Sequence, residues 1–334
     1  MSLYPNIVPE DHSDTAHPKV LIDGSTPDEQ HAIGKQTLVI GEHRSAVRLS
    51  SEEGNTCPNY WHFSLYGFCP YGCTYCYLAG TPGVKFSPSV KIFTNVDEVV
   101  NDIDKHARKI AKPIAFYHGK LQDGLALDPL TGYSRLLIPF FAEHPFARQI
   151  LLTKSADVEN LLALDHNEHT TLSWSLQPPE IGERFEPQTP PIADRLHAMK
   201  QCADAGYPIR AVLMPLIPVP DWLDQYADFL EQLLADIPIR RLTIGAICSY
   251  QGAYHLMNRK LGSANAIAEN IEHAKSEDGR MRYPMELREK AYRRLIQMAK
   301  RIRPDLKIGL CLETSAVFES LDFQNAIGQC NCVL

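Results

Sequence analysis

The chain has 334 residues, 44% of them apolar, and a net charge of -7 at pH 7. That is enough apolar material for one large domain or two ordinary ones, no run reaches the length of a membrane span, about 18 apolar residues, and the charge balance gives no global reason to bind nucleic acid. The start, "MSLYPNIVPEDHSD", has neither the basic nor the apolar stretch of a signal peptide, so the cytoplasm is expected and no membrane partner; the nine cysteines, kept reduced there, suggest metal or redox chemistry rather than a disulfide framework.

Residues 1–55 are polar, with one short apolar run, "TLVI" at 37–40, and read as an arm packing on the domain. From residue 60 a rhythm begins. Short apolar runs at 60–65, 114–118, 149–153, 171–176, 209–214 and 241–245 predict six strands. Amphipathic patterns lie between them. The clearest carries Val96, Val99, Val100, Ile103, Ala107 and Ile110 behind an expected Asn95 cap with Glu98 three residues on. Others run through Ile192, Leu196, Met199 and Ala203, and through Leu223, Tyr226, Leu230 and Leu233. Alternating strand and helix imply parallel βαβ units with right-handed crossovers. The fold class is therefore α/β, a partial (β/α)6 barrel occupying residues 56–312. A helix near 285–303 and a strand at 307–311 would extend or close the sheet, and residues 313–334 form a C-terminal tail with a Cys-x-Cys pair.

The stretch "FCPYGCTYCYLAG" (68–80) places Cys69, Cys73 and Cys76 in the loop expected after the first strand. In βα barrels active sites sit at the C-terminal strand ends, so this position is catalytic in kind. A structural zinc site wants four protein ligands, commonly as two Cys-x-x-Cys-like pairs, and one pair is missing. Three thiolates on a 4Fe-4S cluster leave one iron open to an outside ligand. An enzyme that cleaves S-adenosyl-L-methionine (SAM) by electron transfer needs such an iron to chelate the amino and carboxylate groups of its ligand.

With an aromatic before its last cysteine, the Cys-x3-Cys-x2-Cys motif resembles that of the radical SAM superfamily, and within it the chain resembles the spore photoproduct lyase family. The resemblance runs from about Phe63 to Trp222, on "CTYCYL", "GLALDPLTG" (124–132), "LLTKSADV" (151–158), "FEPQTPPIADRL" (185–196) and "AGYPIRAVLMPL" (205–216). It implies that Cys69, Cys73 and Cys76 ligate a 4Fe-4S cluster, that Lys154 holds the SAM carboxylate as a point charge, and that Ser175 lies near SAM. It implies reductive cleavage of SAM to a 5'-deoxyadenosyl radical, an electron donor such as a flavodoxin or ferredoxin, and a DNA photoproduct as substrate. Tyr75 and Tyr77 flank Cys76 as in the family, where such a pair is implicated in relaying a hydrogen atom. Asp123 would bind a ribose or substrate hydroxyl. Each has a plainer alternative: a solvated lysine, a strand hydroxyl, aromatic packing around a cluster, and a loop cap.

The sequence departs from the family in one loop. The family's hydrogen-donor cysteine follows the second strand in a Cys-Thr-Ser-Asp-like stretch, whereas this chain reads "HGKLQDGLALD" (118–128), and alignment on Asp123 puts Lys120 in the cysteine's place. An ammonium does not readily donate a hydrogen atom to a carbon radical. Either Tyr75, Tyr77 or Cys248 substitutes, or the substrate differs. A third reading, from another class, is a non-catalytic iron-sulfur or zinc protein that binds nucleic acid. Two further features stand apart. Residues 280–303 hold nine Arg or Lys against two Glu with an apolar stripe at Leu287, Ala291, Leu295, Met298 and Ile302, the pattern of a phosphate-contacting or merely solvated helix face. Cys330 and Cys332 either fold back as metal ligands or a redox pair, or sit on a flexible tail.

Overall fold

The computed structural model describes residues 20–81, 84, 88–272 and 278–334; the first nineteen residues of the expected arm lie outside it. The strands in chain order are β1 (Leu38–Gly41), β2 (Val47–Ser50), β3 (Tyr60–Phe63), β4 (Tyr66–Gly67), β5 (Val90–Phe93), β6 (Ile114–His118), β7 (Ala147–Thr153), β8 (Thr170–Ser175), β9 (Ile209–Leu213), β10 (Arg241–Ile244), β11 (Cys248–Ser249), β12 (Met281–Arg282) and β13 (Lys307–Leu310). Eight of them form one sheet in the order β13-β10-β9-β8-β7-β6-β3-β2. Every pairing from β3 to β13 is parallel, and β2 adds antiparallel to β3. The six predicted strands are all present, and β13 extends the sheet without closing it onto β2. This is the partial barrel that the alternation of strand and helix implies.

Helices cover the outer face because their apolar stripes have nowhere else to go. In the helix Val96–Ile110 the buried residues are Val96, Val99, Ile103 and Ala107, the predicted stripe. Asn95 does not cap it through its side chain: its Oδ1 accepts from the His43 amide at 3.0 Å and its Nδ2 donates to Glu98 at 2.8 Å. The nearby arm takes the side-chain oxygen that the helix would have used. That helix packs with Phe63, Phe116 and Phe141, whereas the helices Ile192–Asp204, Trp222–Asp236 and Met285–Ile302 pack against a larger core that includes Trp174, Phe185, Tyr226 and Tyr292.

The first strand is shorter than its apolar run. β3 ends at Phe63, and two residues on Tyr66–Gly67 leaves for a small sheet ordered β1-β5-β4. The Phe93 amide donates to the Leu65 carbonyl at 2.9 Å, so the chain that would have lengthened β3 is held elsewhere. The arm thus meets the domain in two places, β1 in the small sheet and β2 at the edge of the large one.

The open side of the barrel is laced by side chains. The Thr56 amide and hydroxyl donate to the Glu313 carbonyl at 2.9 and 3.0 Å, tying the approach to β3 to the exit of β13. The Glu313 carboxylate is buried and accepts from Tyr292 at 2.5 Å and from Arg288. Arg288 belongs to the basic segment, and it is an internal residue. Arg280 pairs with Glu52 at 2.6 Å and Arg282 with Asp278 at 2.5 Å, while Arg293 and Arg303 donate to the carbonyls of Ser320 and Ile239, each at 2.8 Å. The expected basic face is therefore largely consumed in holding the fold. Removing one partner of a buried pair strands the other charge, so Glu313→Ala is expected to cost about 3–5 kcal/mol in the unfolding free energy from urea titration, while Lys290→Ala on the exposed face leaves it unchanged.

Candidate active site

A cavity of about 490 Å³ opens among the loops at the C-terminal strand ends, and Cys69, Cys73 and Cys76 line it together with Tyr75, Tyr77, Lys120, Asp123, Lys154 and Ser175. All nine residues singled out from the sequence thus share one chamber.

The cysteine loop is held by backbone. The Gly72 amide donates to the Pro187 carbonyl at 3.1 Å, and the Thr74 amide to that of Phe185 at 2.9 Å. A Cβ on Gly72 would lie 2.7 Å from the Pro187 oxygen, so only glycine permits this approach. From the other side Lys35 donates to the carbonyls of Cys69 and Tyr71, the latter at 2.6 Å, with its ammonium 3.9 Å from the centre of the Phe68 ring. Burial pushes the Cys69 thiol up to about 12, and it raises Cys73 as well. As free thiols these two are poor anions. A group bearing positive charge is what would turn them into thiolates.

Between the two anchor residues of that loop lies Glu186. Its buried carboxylate pairs with Arg195 at 2.6 Å, stands 3.7 Å from the Lys154 ammonium and accepts from the Tyr75 hydroxyl. Lys154 in turn donates to Ser175 Oγ at 2.8 Å. Burial pulls the lysine down, but Glu186 and the Cys73 thiol outweigh it and hold the ammonium above its ordinary value. Lys154 is therefore a fixed, desolvated cation beside Cys73, not a solvated strand-end lysine. The Tyr75 hydroxyl is spent on Glu186, and its ring packs in the main core. Tyr77 is the more open of the two tyrosines, 37% exposed, and donates to the Lys120 carbonyl.

Asp123 acts as a loop tie. Its Oδ1 accepts from the amides of Leu125 and Ala126 at 2.9 Å and from Thr153 Oγ1 at 2.6 Å, and its Oδ2 from the Lys154 amide at 2.7 Å. These four bonds fasten the loop after β6 to the end of β7. Lys120 is not an exposed loop lysine. It pairs with Glu52 at 2.9 Å and donates to Ser50, and Glu52 also accepts from Tyr60 at 3.0 Å and from Arg280. Sequence reading missed Glu186, Arg195, Lys35 and Glu52. The first two lie in a quoted motif, "FEPQTPPIADRL", where an acid and a base nine residues apart around a helix start were the available signal.

Among the described residues no group of three or more Cys, His, Asp or Glu is arranged to hold a metal ion. A cluster asks for a different arrangement, since each thiolate binds its own iron. Cys69, Cys73 and Cys76, on one loop around one chamber with a fixed cation at its edge, fit that demand.

A thiol triplet between the first and second parallel strands of an open α/β barrel is the architecture of radical SAM proteins. The chain belongs to the spore photoproduct lyase family, whose model matches residues 6–248, beyond both ends of the motifs read from the sequence. It is 28% identical over 200 residues to spore photoproduct lyase of Clostridium acetobutylicum, covering 60% of this chain and 58% of that protein. With the Bacillus subtilis (strain 168) lyase the identity is 28% over 226 residues, covering 67% and 64%. The chain therefore matches less than two-thirds of the length of these relatives. In fold it is similar to a spore photoproduct lyase complexed with dinucleoside spore photoproduct, with a TM-score of 0.75 at 21% identity over 86% of each chain. A substituted variant of such a lyase with bound AdoMet and the same dinucleoside matches equally, TM-score 0.75, over 87% of this chain and 86% of that one.

The Glu52 carboxylate is held below its ordinary range: burial raises it, but hydrogen bonds from Arg280 and Lys120 win. A lowered carboxylate pKa stabilises the fold above the unfolded value, and that gain is lost as the pH falls through the folded value. Stability of the wild type should then drop more steeply than that of Glu52→Gln below about pH 4, with the two curves converging in acid, as followed by urea midpoints across pH.

Proposed function

We propose that this chain is a radical SAM enzyme of the spore photoproduct lyase type, with a 4Fe-4S cluster on Cys69, Cys73 and Cys76 and SAM bound between that cluster and Lys154. The observation that carries the reading is the Lys154 ammonium, fixed by Ser175 and Glu186 and lining the same cavity as the three thiols. When bound, the cluster supplies the electron that cleaves the sulfonium of SAM and so generates a hydrogen-abstracting carbon radical.

The chain's own residues bind, orient and exclude water. Lys154 offers its charge to the carboxylate of SAM, and Ser175 Oγ is placed to stay within that contact. Glu186 and Arg195 lock the lysine's direction from behind, so little side-chain freedom is lost on binding. Tyr75, tied to Glu186, closes the apolar side of the site, and Leu152, Val212 and Met214 line the chamber with it. Tyr77, anchored only by the Lys120 carbonyl, is the tyrosine placed to face a substrate. No membrane-spanning function is proposed: among the described residues no helix is long and apolar enough to cross one. The one-electron donor is of the flavodoxin or ferredoxin kind.

The substrate of the first reading is a DNA photoproduct. One observation favours a second reading, a radical SAM enzyme for a different substrate. Lys120, which alignment on Asp123 sets in the place of the family's donor cysteine, is built into the Glu52–Arg280 ion-pair network. A cation there suits a substrate with an anionic group and leaves a carbon radical without a hydrogen donor at that place.

Both readings are tested by anaerobic reconstitution, addition of dithionite and SAM, and measurement of 5'-deoxyadenosine and thymine with photoproduct-containing DNA. The expected outcome is SAM cleavage with poor repair, and clean thymine formation that rises in Lys120→Cys. Efficient repair by the wild type, unchanged in Lys120→Ala, would restore the first reading in full and place the donor elsewhere. In equilibrium binding, Lys154→Ala should weaken SAM by about 1.5–3 kcal/mol without loss of iron; an unchanged affinity would remove Lys154 from the site.

A further inference from the structure

Besides Cys248, four more cysteines line the same cavity: Cys57 before β3, Cys311 after β13, and Cys330 and Cys332 from the C-terminal tail. The tail is not loose. It runs into the barrel, where Asn331 Oδ1 accepts from Ser173 at 2.9 Å and its carbonyl from Arg210 at 3.1 Å. The Val333 carbonyl accepts from Arg210 at 2.7 Å and from Arg241 at 2.9 Å, and that of Cys330 from Arg241 at 2.9 Å. Gly309 on β13 lets the tail come this close, since a Cβ there would collide with the Gln329 carbonyl. Cys330 is an electrostatic neighbour of Cys57 and Cys332, and Cys311 of Cys57 and Cys330. None of the four is in a disulfide.

Charge is the independent observation. Arg210 and Arg241 are 7% and 4% exposed, and among the described residues neither has a carboxylate within ion-pair reach. Among the described residues their guanidiniums meet only main-chain carbonyls, and Arg241 Nε has no hydrogen-bond partner. Buried charges are ordinarily paired. The Cys330 thiol stands beside both cations and the Cys332 thiol beside Arg210. Four thiolates on a 4Fe-4S core of charge 2+ leave a net charge of 2−, equal and opposite to the two guanidiniums.

We infer that Cys57, Cys311, Cys330 and Cys332 form a second, four-cysteine iron-sulfur site, closed by the C-terminal tail and neutralised by Arg210 and Arg241. Four thiolates on one zinc ion would carry the same net charge of 2−, so the counts of iron, sulfide and zinc decide between the two. The site stands on its own residues and does not depend on the radical SAM reading.

The test counts iron, acid-labile sulfide and zinc per chain after anaerobic reconstitution of the wild type, of Cys69→Ala/Cys73→Ala/Cys76→Ala, and of Cys330→Ser/Cys332→Ser. Serine keeps the size and hydrogen bonding of the tail, and in the triple variant the tail is untouched, so a folding defect in one leaves the other decisive. The expected result is that the triple variant retains half of the wild-type iron and sulfide, and that the double variant loses the other half. A triple variant without iron and sulfide, or holding zinc in their place, would overturn the second cluster, as would full iron in a folded double variant. Iron retained at half in the triple variant while wild-type protein fails to cleave SAM would instead overturn the radical SAM reading and leave this site standing.

Discussion

The buried carboxylate of Glu186 is the constraint around which the chamber is organised. It lies between the two cations Lys154 and Arg195 and accepts the Tyr75 hydroxyl, with the cysteine loop hung on the carbonyls of its neighbours Phe185 and Pro187. Taken alone, two ammonium-type charges in this interior would be costly. With Glu186 present, one of them, Arg195, is fully spent on structure, since it also donates to Pro190 and Ser175 carbonyls. The other keeps a surplus directed at the cavity. A single acid thus fixes the thiol loop, the flanking tyrosine and the cation for an anionic ligand in one rigid frame, the preorganisation that makes binding of a small charged ligand economical.

Both ends of the chain complete that frame. The open barrel has a gap between β13 and β2, and the fold fills it with polar links rather than a further strand: Thr56 to Glu313, Asn55 to Asp278 and Arg282, Glu52 to Arg280 and Lys120. Lys35 reaches in from the helix Pro27–Gln36 to steady the cysteine loop. The tail enters the barrel between Ser173, Arg210 and Arg241. Residues outside the core barrel therefore shape the cavity as much as the strand ends do.

The barrel strands and the thiol triplet were legible because both are local patterns: period-two or continuous apolar runs, and three cysteines in eight residues. What stayed hidden depends on partners distant in sequence. Glu186 reads as one more surface acid until Lys154 and Arg195 are seen beside it, and Arg288 reads as part of a basic helix face until Glu313 is placed against it. Asn95 had the identity and spacing of a cap, yet His43, 52 residues earlier, claims its oxygen. The Cys330–Cys332 pair carried too little local pattern to choose between a free tail and a folded one; the decision lay with two strand-start arginines that need carbonyl partners. Lys120 was readable as a departure from its family, but its ion pair with the arm was not.

Electron paramagnetic resonance of the reconstituted, dithionite-reduced protein, recorded before and after addition of SAM, tests whether the three thiols and Lys154 hold a cluster and SAM in contact. Binding of SAM at an open iron should change the shape of the reduced cluster signal in the wild type, and Lys154→Ala should require a higher SAM concentration for the same change. A signal that SAM leaves unaltered at saturating concentration would contradict the claim.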